Sequence, residues 1–141
     1  LQEEMLRILL KRFIILCTRI AREKFSVSPE REKAFDMVRQ FYVLVDNHFK
    51  EKKMVQDYAD MLHRSPKTLS NLFTTCGLPS PLRIIHERIE AEAKRLLLYS
   101  QKSAKEITEI LGFEDQATFS RFFKKMTGES VSEYRKREKR E

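Results

Sequence analysis

The sequence predicts an all-α fold, and three observations support this. Glycine and proline are scarce, with three Gly and four Pro in 141 residues, while 35% of the residues are charged and 41% hydrophobic. This composition is typical of a compact helical protein rather than a sandwich or a disordered tail. Apolar residues recur at spacings of three and four, the period of an amphipathic helix. Capping residues mark where these segments start and end.

Residues 1–25 form the first predicted helix, in which two apolar rows flank a polar stripe. One row is Leu9, Phe13, Leu16 and Ile20, and the other is Leu6, Leu10, Ile14, Cys17 and Ala21. The rows either pack against a preceding N-terminal domain or form the seam of a homodimer. Because the chain starts at Leu1 inside this pattern, we expect it to be the C-terminal part of a longer protein.

A second helix is predicted after Ser28, ending at about Lys50. Ser28 is a capping residue, and Pro29 suits the first helical position. The spacing of apolar residues predicts one inward row along this helix. That row is Phe35, Val38, Tyr42, Val45 and Phe49.

From residue 54 onward the same set of parts occurs twice. In the first copy, a short helix over residues 55–62 precedes a turn over 63–65 and a second helix over 66–76. Ser65 caps that second helix and Gly77 ends it.

In the second copy, Ser103 and Glu106 form a capping box and Gly112 supplies the turn. Asp115 then caps a second helix over residues 116–127. Aligned on their second helices, the copies pair Leu69 with Phe119, Ser70 with Ser120, Leu72 with Phe122, and Phe73 with Phe123. Apolar positions repeat while exposed ones vary, as expected of two helix-turn-helix units that read different bases.

Between the copies, Ser80 and Pro81 start a helix that continues to about Tyr99. Its apolar row is Leu82, Ile85, Ile89, Ala93 and Leu96. At ~1.5 Å per residue it is roughly 28 Å long. Successive major grooves on one face of B-DNA are ~34 Å apart, so this helix could hold two recognition helices in adjacent grooves. It could instead be merely a core helix, and it could also be both.

The end of the chain is basic. The formal net charge of +7 suggests a polyanionic partner. Residues 51–115 hold ten Lys/Arg and ten Asp/Glu, whereas residues 116–141 hold eight and four, a local excess of +4. A capping box at Ser130 and Glu133 starts a last helix with Tyr134 inward. The basic tail that follows is Arg135, Lys136, Arg137, Lys139 and Arg140. This tail either contacts phosphates or is simply solvated.

The second copy carries the most specific motif. It contains Gly112-Phe113, Asp115-Gln116, Thr118-Phe119, Ser120-Arg121, Phe122-Phe123-Lys124, Gly128 and Tyr134-Arg135. In this order and spacing, over residues 32–137, the sequence resembles the C-terminal DNA-binding domain of the AraC/XylS family of bacterial transcription regulators. The first copy departs from the family pattern at its cap, turn and contact positions, with Met54, His63 and Asn71. Val131 replaces a frequent proline.

The resemblance implies four segments: 1–27, the helical remnant of a sensor or dimerisation region; 28–79, the first helix-turn-helix subdomain; 80–100, the linker helix; and 101–141, the second subdomain. It also implies double-stranded promoter DNA and RNA polymerase as partners, with a homodimer formed through residues 1–25 or a preceding domain.

Side chains near the start of a recognition helix read bases, and groups at its edges hold phosphates. The residues expected near bases are Lys67, Thr68, Ser70, Asn71, Gln116, Ala117, Ser120 and Arg121. The residues expected near phosphates are Arg64, Ser65, Thr118, Lys124 and Lys125. Thr118 could instead only cap its helix, and Lys124 could only be solvated. Gln116 and Arg121 stand out, since Gln can pair with adenine and Arg with guanine through two hydrogen bonds.

Other function classes find little support in the residues. The two cysteines, Cys17 and Cys76, have neither metal-site nor redox-pair spacing, and a reducing cytoplasm fits them best. No apolar run approaches the ~20 residues of a membrane span. Nucleophile motifs, phosphate loops and paired acids are not found, so we expect no enzyme, no metal and no cofactor. His48, His63 and His86 are expected in turns or at the surface. The main alternative function is a helical protein-interaction module, and a small-molecule sensor fragment is less favoured.

Overall fold

The computed structural model describes residues 2–24 and 28–139, and every regular element in these ranges is an α-helix. The helices are α1 (Gln2–Lys24), α2 (Pro29–His48), α3 (Val55–Met61), α4 (Pro66–Thr75), α5 (Pro81–Tyr99), α6 (Ala104–Ile110), α7 (Gln116–Thr127) and α8 (Val131–Glu138). The predicted all-α fold is confirmed. Among the described helices, none is long and apolar enough to cross a membrane.

The chain divides into two compact parts, Leu1–Phe35 and Asp36–Glu141, which we call the N-terminal part and the main body. In the N-terminal part, every side chain of α1 from Met5 to Lys24 is exposed, and Phe13 is 63% exposed. What covers the two apolar rows therefore stays a prediction. The predicted boundary at residue 27 lies outside the described residues.

The buried face of α2 differs from the predicted row. The buried residues of α2 are Val38, Phe41 and Val45, and Phe49, the first residue after the helix, is also buried. The predicted inward positions Phe35 and Tyr42 were wrong, since these side chains are 47% and 40% exposed. Phe41 is buried instead because its ring packs against Tyr58 and Phe73, at centroid distances of 5.5 Å and 5.0 Å.

Helix α5 forms the common core of the main body, because it packs against α3, α4, α6, α7 and α8. Its buried residues are Pro81, Ile84, Ile85, Ile89, Glu92, Ala93, Leu96 and Leu97. The prediction that Leu82 lies inward was wrong, since it is 43% exposed while Pro81 and Ile84 fill the inner side of the first turn. The other four predicted positions are buried.

One charged side chain is buried on α5. Glu92 is 8% exposed and accepts hydrogen bonds from Arg95 Nε at 2.9 Å and Nη2 at 2.7 Å. These hydrogen bonds hold the pKa of Glu92 below its ordinary value. Arg88 has two acidic partners. Its Nη1 lies 3.9 Å from the Glu92 carboxylate, and its Nε donates to Asp46 at 2.7 Å. Arg88 therefore connects α5 to α2.

Helices α6, α7 and α8 pack around a second aromatic cluster. Phe123 contacts Tyr134 edge-on, with ring centroids 5.5 Å apart, and Tyr134 is buried as predicted. The capping boxes at Ser103 and Ser130 are both present.

The basic tail was predicted to contact phosphates or to be solvated, but two of its arginines have partners within the chain. Arg135 donates to the backbone carbonyls of Leu97 at 3.2 Å and Lys102 at 2.7 Å, so it fastens α8 to the end of α5. Arg137 pairs with Glu129 at 3.3 Å. Lys136 and Lys139 are exposed, and Arg140 lies outside the described residues.

Candidate nucleic-acid interface

Two helix pairs in the main body share one geometry: α3 with α4, the first unit, and α6 with α7, the second unit. After the first helix of each pair comes a residue with a left-handed backbone, His63 at φ 54° or Gly112 at φ 73°. The next amide, of Arg64 or Phe113, donates back to a carbonyl of the first helix at 2.9 Å or 3.1 Å. The two turns therefore follow the same hydrogen-bonding pattern.

The two units differ where their first helices start. At α6, the Ser103 hydroxyl accepts from the Glu106 amide at 3.2 Å, and the Glu106 carboxylate accepts from the Ser103 amide at 2.7 Å. The hydrogen bond from the Ser103 backbone amide is the main cause that lowers the pKa of Glu106. At α3, the Asp57 carboxylate accepts from the Met54 amide at 3.3 Å, and Met54 has no capping oxygen. The start of α3 therefore has one of the two hydrogen bonds that hold the start of α6.

Helix α4 is held by its cap and its apolar face. The Ser65 hydroxyl accepts from the Thr68 amide at 3.1 Å and lies 2.8 Å from the Thr68 hydroxyl. Leu69 and Phe73 are fully buried beneath the helix. Ser65 and Thr68, both predicted to contact DNA, thus also take part in the hydrogen bond that caps the helix. The remaining predicted residues of this unit, all exposed, are Arg64, Lys67, Ser70 and Asn71.

Helix α7 is built in the same way with a charged cap. The Asp115 carboxylate accepts from the Thr118 amide at 2.7 Å, and this hydrogen bond holds the pKa of Asp115 below its ordinary value. Phe119 and Phe123 are fully buried. The helix ends at Gly128, whose φ of 80° is the left-handed value that favours glycine at a C-cap.

The predicted contact residues of the second unit cluster on α7. Thr118 and Ser120 are half-buried, and Thr118 accepts a long hydrogen bond of 3.4 Å from Arg121 Nη2. The exposed members are Gln116, Ala117, Arg121, Lys124 and Lys125. The exposed part of α7 therefore carries three cations, whereas that of α4 carries Lys67 alone.

One histidine, His86, was expected in a turn or at the surface but lies partly beneath α7. His86 of α5 is half-buried and packs edge-on against Phe122 of α7, with ring centroids 5.3 Å apart. Burial, with a smaller effect from Lys125, lowers the pKa of His86. The one signal in the sequence is its position next to Ile85 on the inner side of α5. Within the described ranges, no group of three or more His, Cys, Asp or Glu side chains could hold a metal ion.

Comparison with known proteins agrees with this architecture. A family model described as a helix-turn-helix domain matches residues 58–137. The chain is 30% identical over 122 residues to YisR of Bacillus subtilis, described as an uncharacterised helix-turn-helix-type transcriptional regulator, covering 86% of this chain and 41% of that protein. It is 36% identical over 92 residues to the arabinose operon regulatory protein of Salmonella typhimurium, covering 65% of this chain and 31% of that protein.

A solved structure shows the same fold. The C-terminal domain of AraT, a response regulator from Geobacillus stearothermophilus, superposes with a TM-score of 0.64 at 29% identity, covering 71% of this chain and 84% of that domain. The chain spans less than half the length of the first curated relatives it matches, between 30% and 47%. The matched helix-turn-helix model and these relatives show that the chain belongs to the AraC-type family of DNA-binding transcription regulators.

Proposed function

We propose that this chain binds double-stranded promoter DNA sequence-specifically, with α4 and α7 in adjacent major grooves, and thereby regulates transcription. One observation carries the proposal. Each of these helices buries two large apolar side chains and presents polar and cationic side chains to solvent. A recognition helix needs this division, because its inner face fixes it to the scaffold while its outer face meets base edges.

The predicted residues divide by chemistry. Amide and guanidinium groups such as Gln116 and Arg121 can make paired hydrogen bonds to adenine and guanine, so we assign them to base edges. Lys67, Thr68, Ser70, Asn71, Ala117 and Ser120 complete this set. Exposed ammonium groups such as Lys124 suit phosphates, which fix the register of the protein on DNA without reading sequence. Arg64, Ser65, Thr118 and Lys125 complete the phosphate set.

The two units are unequal, and we infer an asymmetric target. Asn71 of α4 corresponds to Arg121 of α7, and α4 lacks counterparts of Lys124 and Lys125. The second unit should therefore supply much of the phosphate affinity, while the first reads a different half-site. Two different readers in one chain predict a non-palindromic DNA sequence.

For the longer protein we propose two partners. RNA polymerase is the expected target of regulation. A second copy of the chain is expected to pair through residues 1–25 or through a preceding domain, because both apolar rows of α1 are exposed.

Binding-site selection from a random double-stranded library, followed by fluorescence anisotropy at two salt concentrations, tests the function. We expect a selected site of two unlike halves and an affinity that falls with salt, because bound phosphates release counterions. Failure to enrich any sequence, together with the absence of salt-dependent binding, would instead favour the helical protein-interaction module.

A further inference from the structure

The segment between α2 and α3 touches the turn of the second unit directly, in addition to the contacts that both units make with α5. The carbonyl of Lys50, just after α2, lies so close to Gly112 that a Cβ on that glycine would come within 1.9 Å of the oxygen. Real Cβ atoms do not approach a backbone oxygen this closely, so only glycine fits. The corresponding turn of the first unit carries His63, which shows that the turn itself accepts a side chain. The glycine is therefore required by the contact with the Lys50 carbonyl, whereas its backbone angle alone only favours glycine.

Lys53 holds this contact together. Its ammonium group donates to the Lys50 carbonyl at 2.7 Å and to the Phe49 carbonyl at 3.5 Å. The same ammonium lies 5.1 Å from the centre of the Phe113 ring, which belongs to the turn of the second unit. A cation over an aromatic face is attracted by the ring quadrupole. Lys53 thus bridges the end of α2 and the turn between α6 and α7.

Helix α5 secures the same end of α2 from another direction. The Arg88 guanidinium stacks over the Phe49 ring at 4.2 Å and donates to Asp46 at 2.7 Å. The end of α2 is consequently attached both to α5 and to the turn of the second unit. We call this three-way contact, formed by Phe49, Lys50, Lys53, Arg88, Gly112 and Phe113, the inter-unit joint.

We propose that the inter-unit joint fixes the distance and angle between α4 and α7, and that Lys53 and Gly112 are positioning residues for the spacing of the two half-sites. This inference rests on the proposed binding of both helices to adjacent grooves. One added base pair moves the second half-site by about 3.4 Å and rotates it by about 35°. A joint that holds the units rigidly cannot follow that displacement, so the protein reads the spacer length as well as the bases.

A series of duplexes tests this inference with the full 141-residue chain. The duplexes carry the two selected half-sites with the natural spacer and with one or two base pairs added or removed. Fluorescence anisotropy gives the spacing penalty, which is the ratio of Kd on an altered spacer to Kd on the natural one. We expect a penalty of at least tenfold for one base pair, about 1.4 kcal/mol.

Lys53→Met keeps the length and apolar contacts of the side chain but removes the ammonium group. We expect it to reduce the penalty to about threefold, about 0.7 kcal/mol, with little change in Kd on the natural spacer. Lys52→Met is the matched control, since Lys52 is exposed and the same charge is lost one residue away. Gly112→Ala should reduce the penalty further by forcing the joint apart, and circular dichroism reports whether it folds. If it does not fold, Lys53→Met alone decides.

If selection yields a two-part site but Lys53→Met shows the same spacing penalty as the unaltered chain, this inference is overturned while the proposed function stands. An unaltered chain that binds all spacers equally would overturn it as well. If selection enriches no DNA sequence, the proposed function fails and this inference fails with it. A change in thermal stability without a change in spacing penalty would mark Lys53 as merely structural.

Discussion

His63 and Gly112 occupy the same place in the two turns, and both have a left-handed backbone, at φ 54° and φ 73°. Gly112 lies against the carbonyl of Lys50, where a Cβ would come within 1.9 Å of the oxygen, whereas His63 carries a side chain at the corresponding place. An L-residue in this conformation costs roughly 1–2 kcal/mol relative to a right-handed one. The turn of the first unit is therefore locally strained at a position where glycine would relieve the strain.

We expect His63→Gly to raise the free energy of unfolding by about 0.5–1 kcal/mol. The relief of the left-handed backbone exceeds the extra entropy that glycine gives the unfolded chain. Thermal denaturation should show a Tm increase of a few degrees. Arg64→Gly is the control, because Arg64 has no positive φ and glycine there should lower stability. Equal effects of the two substitutions would contradict this account.

The ion pair between the buried Glu92 and the exposed Arg95 on α5 predicts a pH dependence. Because hydrogen bonds from Arg95 lower the pKa of Glu92 below its ordinary 4.5, its contribution to stability is complete above that pH. The contribution is lost as pH falls through the lowered pKa of the folded state. Glu92→Gln should lower the free energy of unfolding by about 1–3 kcal/mol at neutral pH.

Urea denaturation of Glu92→Gln and the unaltered chain between pH 7 and pH 3 checks this. Their difference should shrink as pH falls below 4.5. Glu109→Gln, which removes an exposed carboxylate, should change stability by less than about 0.5 kcal/mol throughout. A Glu92→Gln deficit that stays constant down to pH 3 would show that the carboxylate charge does not matter.

Arg121 lies exposed on α7, one turn after Thr118, whose hydroxyl it contacts at 3.4 Å. We expect Arg121→Ala to relax the preference at one or two base pairs, with a loss of about 1–3 kcal/mol of discrimination. Binding-site selection with the variant measures this. An unchanged consensus at lower affinity would reassign Arg121 to the phosphates.

Lys124 should behave differently from Arg121. As a phosphate contact, it should contribute equally to all sequences, so Lys124→Ala should weaken binding without changing the consensus. The slope of log Kd against log salt should fall in magnitude by about one. Anisotropy titrations over several salt concentrations check this, with the exposed Lys105 of α6 replaced by Ala as the control. A slope unchanged in Lys124→Ala would mean that this side chain remains solvated in the complex.

Helix starts could be predicted from sequence because capping is local. Ser65, Ser103, Asp115 and Ser130 each accept a hydrogen bond from the residue three positions later, and the sequence predicts each of them as a helix cap. The sequence also predicts which positions of α4 correspond to which positions of α7, because the two copies align. The roles of those side chains toward DNA stay predictions.

The choice of buried face on α2 could not be predicted in the same way. Rows through Phe41 or through Tyr42 fit a helical period equally well, and the partners Tyr58 and Phe73 decide between them. The contact between Lys53 and Phe113 was also hidden, because it joins residues 60 positions apart. Periodicity describes one helix at a time, whereas these contacts depend on how several helices pack.

The packing of α5 against helices of both units limits how this protein can be engineered. Neither unit can be removed on its own, because its removal would expose to water the apolar side chains of α5, the helix that also supports the other unit. Replacing a whole unit with that of a relative would require rebuilding one side of α5 and the surroundings of Gly112 at the same time. Retargeting should therefore proceed by exchanging exposed side chains on α4 or α7 within the intact scaffold.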